Sequence, residues 1–209
     1  MQQLLLELAP SPPPTLENFS PGKNGAAIQA LRQALAGGEG FVFLWGPGGS
    51  GKTHLLRAFS AAAAAARREA AAADDVARLG EAEQVALFDR CNRLRASKGA
   101  LAASAEAPPA QLPLRADLRS RLASGIVLQL HPLSDSEKAA ALRDHAASRG
   151  MSLDRALIAY LLSHFDRDMG TQIALLDALD RYSLQRKRPL TLPLVKEALR
   201  TLAEPERRG

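Results

Sequence analysis

Residues Gly46, Pro47, Gly48, Gly49, Ser50, Gly51, Lys52 and Thr53 match the pattern G-x-x-x-x-G-K-[ST] at every fixed position. That spacing gathers three kinds of phosphate ligand. Glycines let successive backbone N–H groups turn inward around phosphate oxygens, and a helix starting beside them aims its positive dipole end at the same point. A lysine ammonium at position 52 would reach the β- and γ-phosphates, and the Thr53 hydroxyl would hold Mg²⁺. The pattern needs a strand before it and a helix after it. Gly40-Phe41-Val42-Phe43-Leu44-Trp45 is a short apolar run such as buried parallel strands show, and His54-Leu55-Leu56-Arg57-Ala58-Phe59 opens with helical spacing. Both flanks are present, so the stretch implies binding of a nucleoside di- or triphosphate.

A second candidate element is Asp74-Asp75, which closes a run of four alanines. An aspartate at a strand tip would stand beside the phosphate loop and hold Mg²⁺, directly or through water. The same pair could instead cap a helix. The six alanines 61–66 read as a helix continuing from the loop, since alanine is the best helix former. Ala70 to Ala73 could supply a strand only weakly, because the centre of a parallel sheet favours large β-branched residues.

The elements that must position these residues follow from periodicity and breakers. From Thr15 to Pro132 short apolar strands alternate with helices, the rhythm of an α/β unit around a parallel sheet. Helices are predicted over 26–36 and 81–96, and strands over 100–104 and 126–130. After Pro132 no strand pattern recurs. Ser134-Asp135-Ser136-Glu137 resembles a helix start, followed by helices over 138–149, 154–166, 169–187 and 192–202. The expected organisation is a projecting N-terminal tail with a proline spacer (1–14), an α/β nucleotide-binding domain (15–132) and a small all-helical domain (133–209).

Composition narrows the class further. The chain has 209 residues, 27 of them basic and 22 acidic, for a net charge of +5. The cations are spread along it, which is compatible with weak nucleic-acid attraction without requiring it. A single cysteine, Cys91, excludes an internal disulfide and sits at a helical apolar spacing expected to pack inside. The four histidines, His54, His131, His145 and His164, show no metal-ligand spacing. No run approaches the roughly 18 apolar residues of a membrane span. The first residues lack a basic region and carry Glu7 within an apolar stretch, a poor signal peptide that points to the cytoplasm.

Several segments together resemble one family. Asp74-Asp75-Val76-Ala77-Arg78-Leu79-Gly80, with Gln84-Val85-Ala86-Leu87-Phe88-Asp89 and Asn92-Arg93-Leu94, is similar to the Walker B element and following helix of the DnaA group of AAA+ replication-initiator ATPases. Thr15-Leu16-Glu17-Asn18-Phe19, with Gly22 and Asn24, looks like that family's opening signature, which lies against adenine. Leu118-Arg119-Ser120-Arg121-Leu122 resembles its R-S-R-F segment, whose second arginine is the arginine finger. His131-Pro132-Leu133-Ser134-Asp135 and the segment 175–184 look like the lid of regulatory members that inactivate the initiator. The tail Gln3-Leu4-Leu5-Leu6-Glu7-Leu8 is similar to the Q-L-x-L-x-L motif by which such members dock on the DNA polymerase sliding clamp.

The resemblance implies an AAA+ domain with a helical lid, binding ADP or ATP with Mg²⁺. Phe19, Asn24, the loop 46–53, Asp74 and Asp75 would form the nucleotide site, with Thr53 and Asp74 on the metal. Gln3, Leu4, Leu5, Leu6 and Leu8 would bind the clamp. Arg121 would act in trans on ATP held by the initiator DnaA, with little hydrolysis by the chain itself. The lid is expected to be the last domain, with no helix-turn-helix unit and no sequence-specific DNA binding, and a homodimer stays open. A rival reading from the same loop is a self-sufficient ATPase such as a helicase loader, which would show substantial turnover alone. The sequence also departs from the family. Only 22 positions separate Lys52 from Asp74, so one strand and its helix are expected to be missing or reduced. Gly170 stands where the sensor 2 arginine is usual; Arg167 reads first as an exposed arginine at a helix start and second as a substitute, and either Glu106 or Ser104 takes the sensor 1 position.

Overall fold

A computed structural model describes residues 13–38, 40–165 and 169–203. The tail motif at positions 3–8 and Arg167 lie outside them. The described residues form two compact units, 13–132 and 133–203. Among them no helix is long and apolar enough to cross a membrane.

The first unit is a three-layer α/β arrangement. Its elements run α1 (Gly25–Leu35), β1 (Phe41–Trp45), α2 (Lys52–Ala65), β2 (Ala70–Ala73), α3 (Glu81–Ala96), β3 (Ala100–Ala105), α4 (Ala116–Ala123) and β4 (Ile126–Gln129). The strands form one four-stranded sheet in the order β2-β3-β1-β4, and every pairing is parallel. β1 lies inside the sheet between β3 and β4, and its alternation builds both layers. Val42 and Leu44 pack with Leu31, Leu55 and Phe59 on the α1/α2 face. Phe41 and Phe43 pack with Leu87, Leu94, Leu118 and Leu122 on the α3/α4 face. Strand β3 is buried throughout, as a strand covered on both faces should be.

Ala70–Ala73 does form a strand, and its place explains how so weak a sequence manages it. β2 is an edge strand paired with β3, in the register Ala70↔Ala100 to Ala73↔Ala103. The backbone ladder along a buried neighbour holds it, and at an edge no large side chain is required on both faces. One helix, α2, joins β1 to β2. The short interval from Lys52 to Asp74 is thus met by a four-stranded sheet, in which the strand carrying Asp74 at its end is itself the edge.

Cys91 is fully buried on α3 within the second core layer. Burial pushes its thiol up to about 11, partly opposed by the nearby charges of Arg121 and Arg95. A neutral, enclosed thiol is a poor nucleophile. The native protein is therefore expected to show no thiol reaction with an aromatic disulfide reagent at pH 8, and one equivalent after denaturation. The raised value also fixes a sign. Between about pH 9 and 11 the unfolded chain releases this proton and the folded chain keeps it, so the melting temperature should fall across that window.

The second unit is all-helical: α5 (Asp135–Ser148), α6 (Arg155–His164), α7 (Met169–Arg186) and α8 (Leu192–Ala203). α5 starts earlier than the apolar spacing places it, because Ser134 is itself the cap. Its hydroxyl accepts from the Glu137 N–H at 3.3 Å, and the Ser134 N–H donates to the Glu137 carboxylate at 2.8 Å. Asp154 likewise stands outside α6 as its cap, accepting from the Leu157 N–H at 2.6 Å. Leu157, Leu161, Leu175, Leu179 and Val195 form one core cluster, and Leu142, Ile158 and Leu176 another. Buried Asp177 accepts from His145 Nε2 at 2.7 Å and Arg149 at 2.9 Å, which satisfies its charge.

Candidate phosphate-binding site

The loop 46–51 leaves the end of β1 and feeds directly into α2. Its root is tied to strands on both sides. The Gly46 N–H donates to Ala105 O at 3.2 Å, and the Leu130 N–H donates to Trp45 O at 2.6 Å. Gly46 has no alternative, since a Cβ there would lie 2.3 Å from Leu130 O. Gly51, just before α2, has φ +93°, and a Cβ on it would meet the Phe19 ring at 2.5 Å. Glycine at this position serves both the left-handed turn and the close approach of that ring.

Within the loop, Lys52 Nζ donates to Gly46 O at 2.6 Å and Pro47 O at 2.9 Å, so the cation lies over its own loop. The Thr53 hydroxyl donates to Asp74 Oδ2 at 2.6 Å, and the Ser104 hydroxyl donates to Asp74 Oδ1. Ser50 is buried, and its Oγ has no hydrogen-bond partner among the described residues. A buried hydroxyl without a partner is costly unless a ligand meets it. A half-exposed ammonium, the start of a helix, this hydroxyl and a hydroxyl–carboxylate pair fit a Mg²⁺-bound phosphate. Magnesium typically takes one or two protein carboxylates plus phosphate oxygens and water.

The two aspartates part company. Asp74, at the tip of β2, faces Thr53. Asp75 has left-handed backbone (φ +47°) and heads a single 3₁₀ turn, 76–78, with its carboxylate on Arg78 Nε at 2.7 Å. Its N–H donates to Ser104 Oγ at 3.2 Å. Ser104 therefore binds both residues of the pair from the neighbouring strand. Glu106 is exposed just past β3.

Asn24 and Phe19 sit on the segment leading into α1. The Asn24 side chain is buried and holds both backbone groups of one residue: Nδ2 donates to His131 O and Oδ1 accepts the His131 N–H, each at 2.8 Å. Its amide thus fastens the segment to the stretch after β4, a contact across 107 positions with no sequence signal. Phe19 lies against Gly51 and beside His54, ring centroids 5.4 Å apart. Arg121 is half-buried on α4, its guanidinium 5.8 Å from the Phe88 ring centroid on α3. Gly170 lies in the first turn of α7.

The family described as Hda, lid domain, matches residues 135–199. An uncharacterized protein of Haemophilus influenzae is 35% identical over 88% of this chain and 93% of its own length. Among solved structures, domain III of the Thermotoga maritima replication initiation protein DnaA aligns with a TM-score of 0.67 at 20% identity, over 91% of this chain and 97% of that one. AMPPCP-bound DnaA from Aquifex aeolicus aligns with a TM-score of 0.64 at 22% identity, over 83% of this chain and 68% of that one. With a parallel sheet carrying the phosphate loop, a DnaA-like fold and a matching helical lid, the chain belongs to the DnaA-like AAA+ proteins of the Hda type.

Proposed function

We propose that this replication regulator binds ADP or ATP with Mg²⁺ at residues 46–53 and acts on nucleotide held by the initiator DnaA. The observation that carries the reading is the convergence of Lys52, Thr53, Asp74 and Ser104 at one loop. The AMPPCP held by the structurally similar Aquifex protein supports adenine nucleotide as the ligand. Bound nucleotide and Mg²⁺ supply the phosphate charge and the Lewis acid. Lys52 would turn from the loop carbonyls to phosphate oxygens, Thr53 and Asp74 would hold the metal, and Phe19 would lie against the base. Asp75 is engaged by Arg78 rather than by Thr53, so Asp74 is the carboxylate assigned to the metal, and little hydrolysis by the isolated chain is expected.

In this reading residues 15–132 are the nucleotide-binding domain and 133–209 its lid, and the protein works in the cytoplasm. Arg121 supplies positive charge to the ATP of a neighbouring DnaA. The tail, through Gln3, Leu4, Leu5, Leu6 and Leu8, docks on the DNA polymerase sliding clamp, with leucines filling an apolar groove and glutamine setting the register. Gln3→Ala combined with Leu4→Ala should weaken capture by immobilised clamp at least about tenfold, as loss of interface anchors typically does, and leave the melting temperature unchanged. Undiminished capture would remove the clamp from the proposal. A drop in melting temperature would mean that the tail packs on its own domain.

A further inference from the structure

His54 follows the phosphate loop directly and lies in the first turn of α2, yet its contacts are with the segment before α1. Its Nε2 is 3.1 Å from Thr15 O, and because a carbonyl only accepts, Nε2 carries the proton and donates. The ring also lies beside Phe19, whose own ring rests on Gly51. The segment that receives these contacts is a closed turn. The Thr15 N–H donates to Asn18 Oδ1 at 2.8 Å, the Asn18 N–H donates to Thr15 Oγ1 at 3.1 Å, and Asn18 Nδ2 donates to Pro13 O at 3.0 Å. These three bonds tie Pro13, Thr15 and Asn18 to one another. Leu16 sinks into the core beneath it, and Glu17 meets Arg32 at 3.3 Å on the exposed side.

We propose that His54 is a positioning residue that seats the 15–19 turn, and with it Phe19, on the phosphate loop, so that nucleotide binding and the order of this turn are coupled. The proposal rests on the reading of 46–53 as an adenine nucleotide site. Thr53 and His54 share the first turn of α2, so a ligand held by Lys52 and Thr53 steadies the backbone from which the imidazole reaches Thr15. The reciprocal effect is required by linkage: whatever loosens the turn weakens the nucleotide. His54 touches neither phosphate nor metal in this scheme.

Two variants separate the donor from the ring. His54→Phe keeps an aromatic neighbour for Phe19 and removes the N–H. His54→Gln keeps an N–H donor. Calorimetry with ADP and Mg²⁺ should show Kd raised about fivefold in His54→Phe, the effect of one hydrogen bond, and restored to within about twofold in His54→Gln. Hydrogen exchange of the full chain should show that ADP slows the amides of residues 15–19 in the wild type and in His54→Gln, but not in His54→Phe. A His54→Phe protein with wild-type Kd, or with ADP-dependent slowing retained, overturns the inference. Should the phenylalanine variant misfold, a folded His54→Gln protein that loses either property overturns it as well. Failure of the wild type to bind ADP would remove the nucleotide reading and this inference together. Wild-type binding that is lost in Lys52→Ala and unchanged in His54→Phe would remove only the inference.

Discussion

Arg121→Ala is expected to lower stimulation of DnaA-bound ATP hydrolysis by about 10³-fold or more, the range spanned by loss of an arginine finger, while ADP binding and clamp capture stay at wild-type level. The expectation follows from where the charge sits. Arg121 belongs to α4, and its described ring contact is Phe88 on α3, so it is braced by the α3/α4 layer. In the proposed role, an arginine held this way would present its charge to a partner with little ordering cost at the moment of reaction. Losing its packing over Phe88 should cost the fold only about 0.5–1 kcal/mol, which a melting curve separates from the functional loss. Arg121→Lys keeps the charge but not the planar fork, and should recover only part of the rate. The measurement is phosphate release in a mixture of clamp, DNA, ATP-bound DnaA and the variant. Full stimulation by Arg121→Ala would dismiss the finger assignment. Substantial turnover by the isolated wild type would favour a self-sufficient ATPase instead.

Lys52→Ala should weaken ADP binding about 100-fold, because it removes a cation expected to make two charge-assisted hydrogen bonds, each worth about 1.5 kcal/mol. The structure shows that this loss need not disturb the fold. Lys52 Nζ is held by the carbonyls of Gly46 and Pro47, and the Pro47 end of this contact is exposed, so water replaces the ammonium there. The roots of the loop, Gly46 on Ala105 and Leu130 on Trp45, do not involve the side chain. Calorimetry at moderate salt reads the effect directly. Equal affinity in wild type and Lys52→Ala would dismiss the loop as the nucleotide site.

What the sequence determined by itself is what short spacing encodes. Residues 46–53 carry their own strand-to-loop-to-helix context, because glycine at the turn and lysine-threonine at the helix start act over a few residues. The helices after Pro132 are equally local, written in leucine periodicity and in caps such as Ser134 and Asp154. Burial of Cys91 was legible from the same helical spacing.

Other features depend on partners far along the chain, and only the tertiary structure decided them. Four alanines are ambiguous alone and become a strand because β3 offers them an edge to pair with. Asp74 and Asp75 are equivalent as letters. They are told apart by Ser104 and Thr53, 30 and 21 positions from Asp74, and by the left-handed backbone that gives Asp75 to Arg78. Asn24 finds His131 across 107 positions, and His54 finds Thr15 across 39. Local propensity is set by each residue's own backbone and nearest neighbours, whereas these bonds exist only after the sheet has brought separate loops to the ends of its strands.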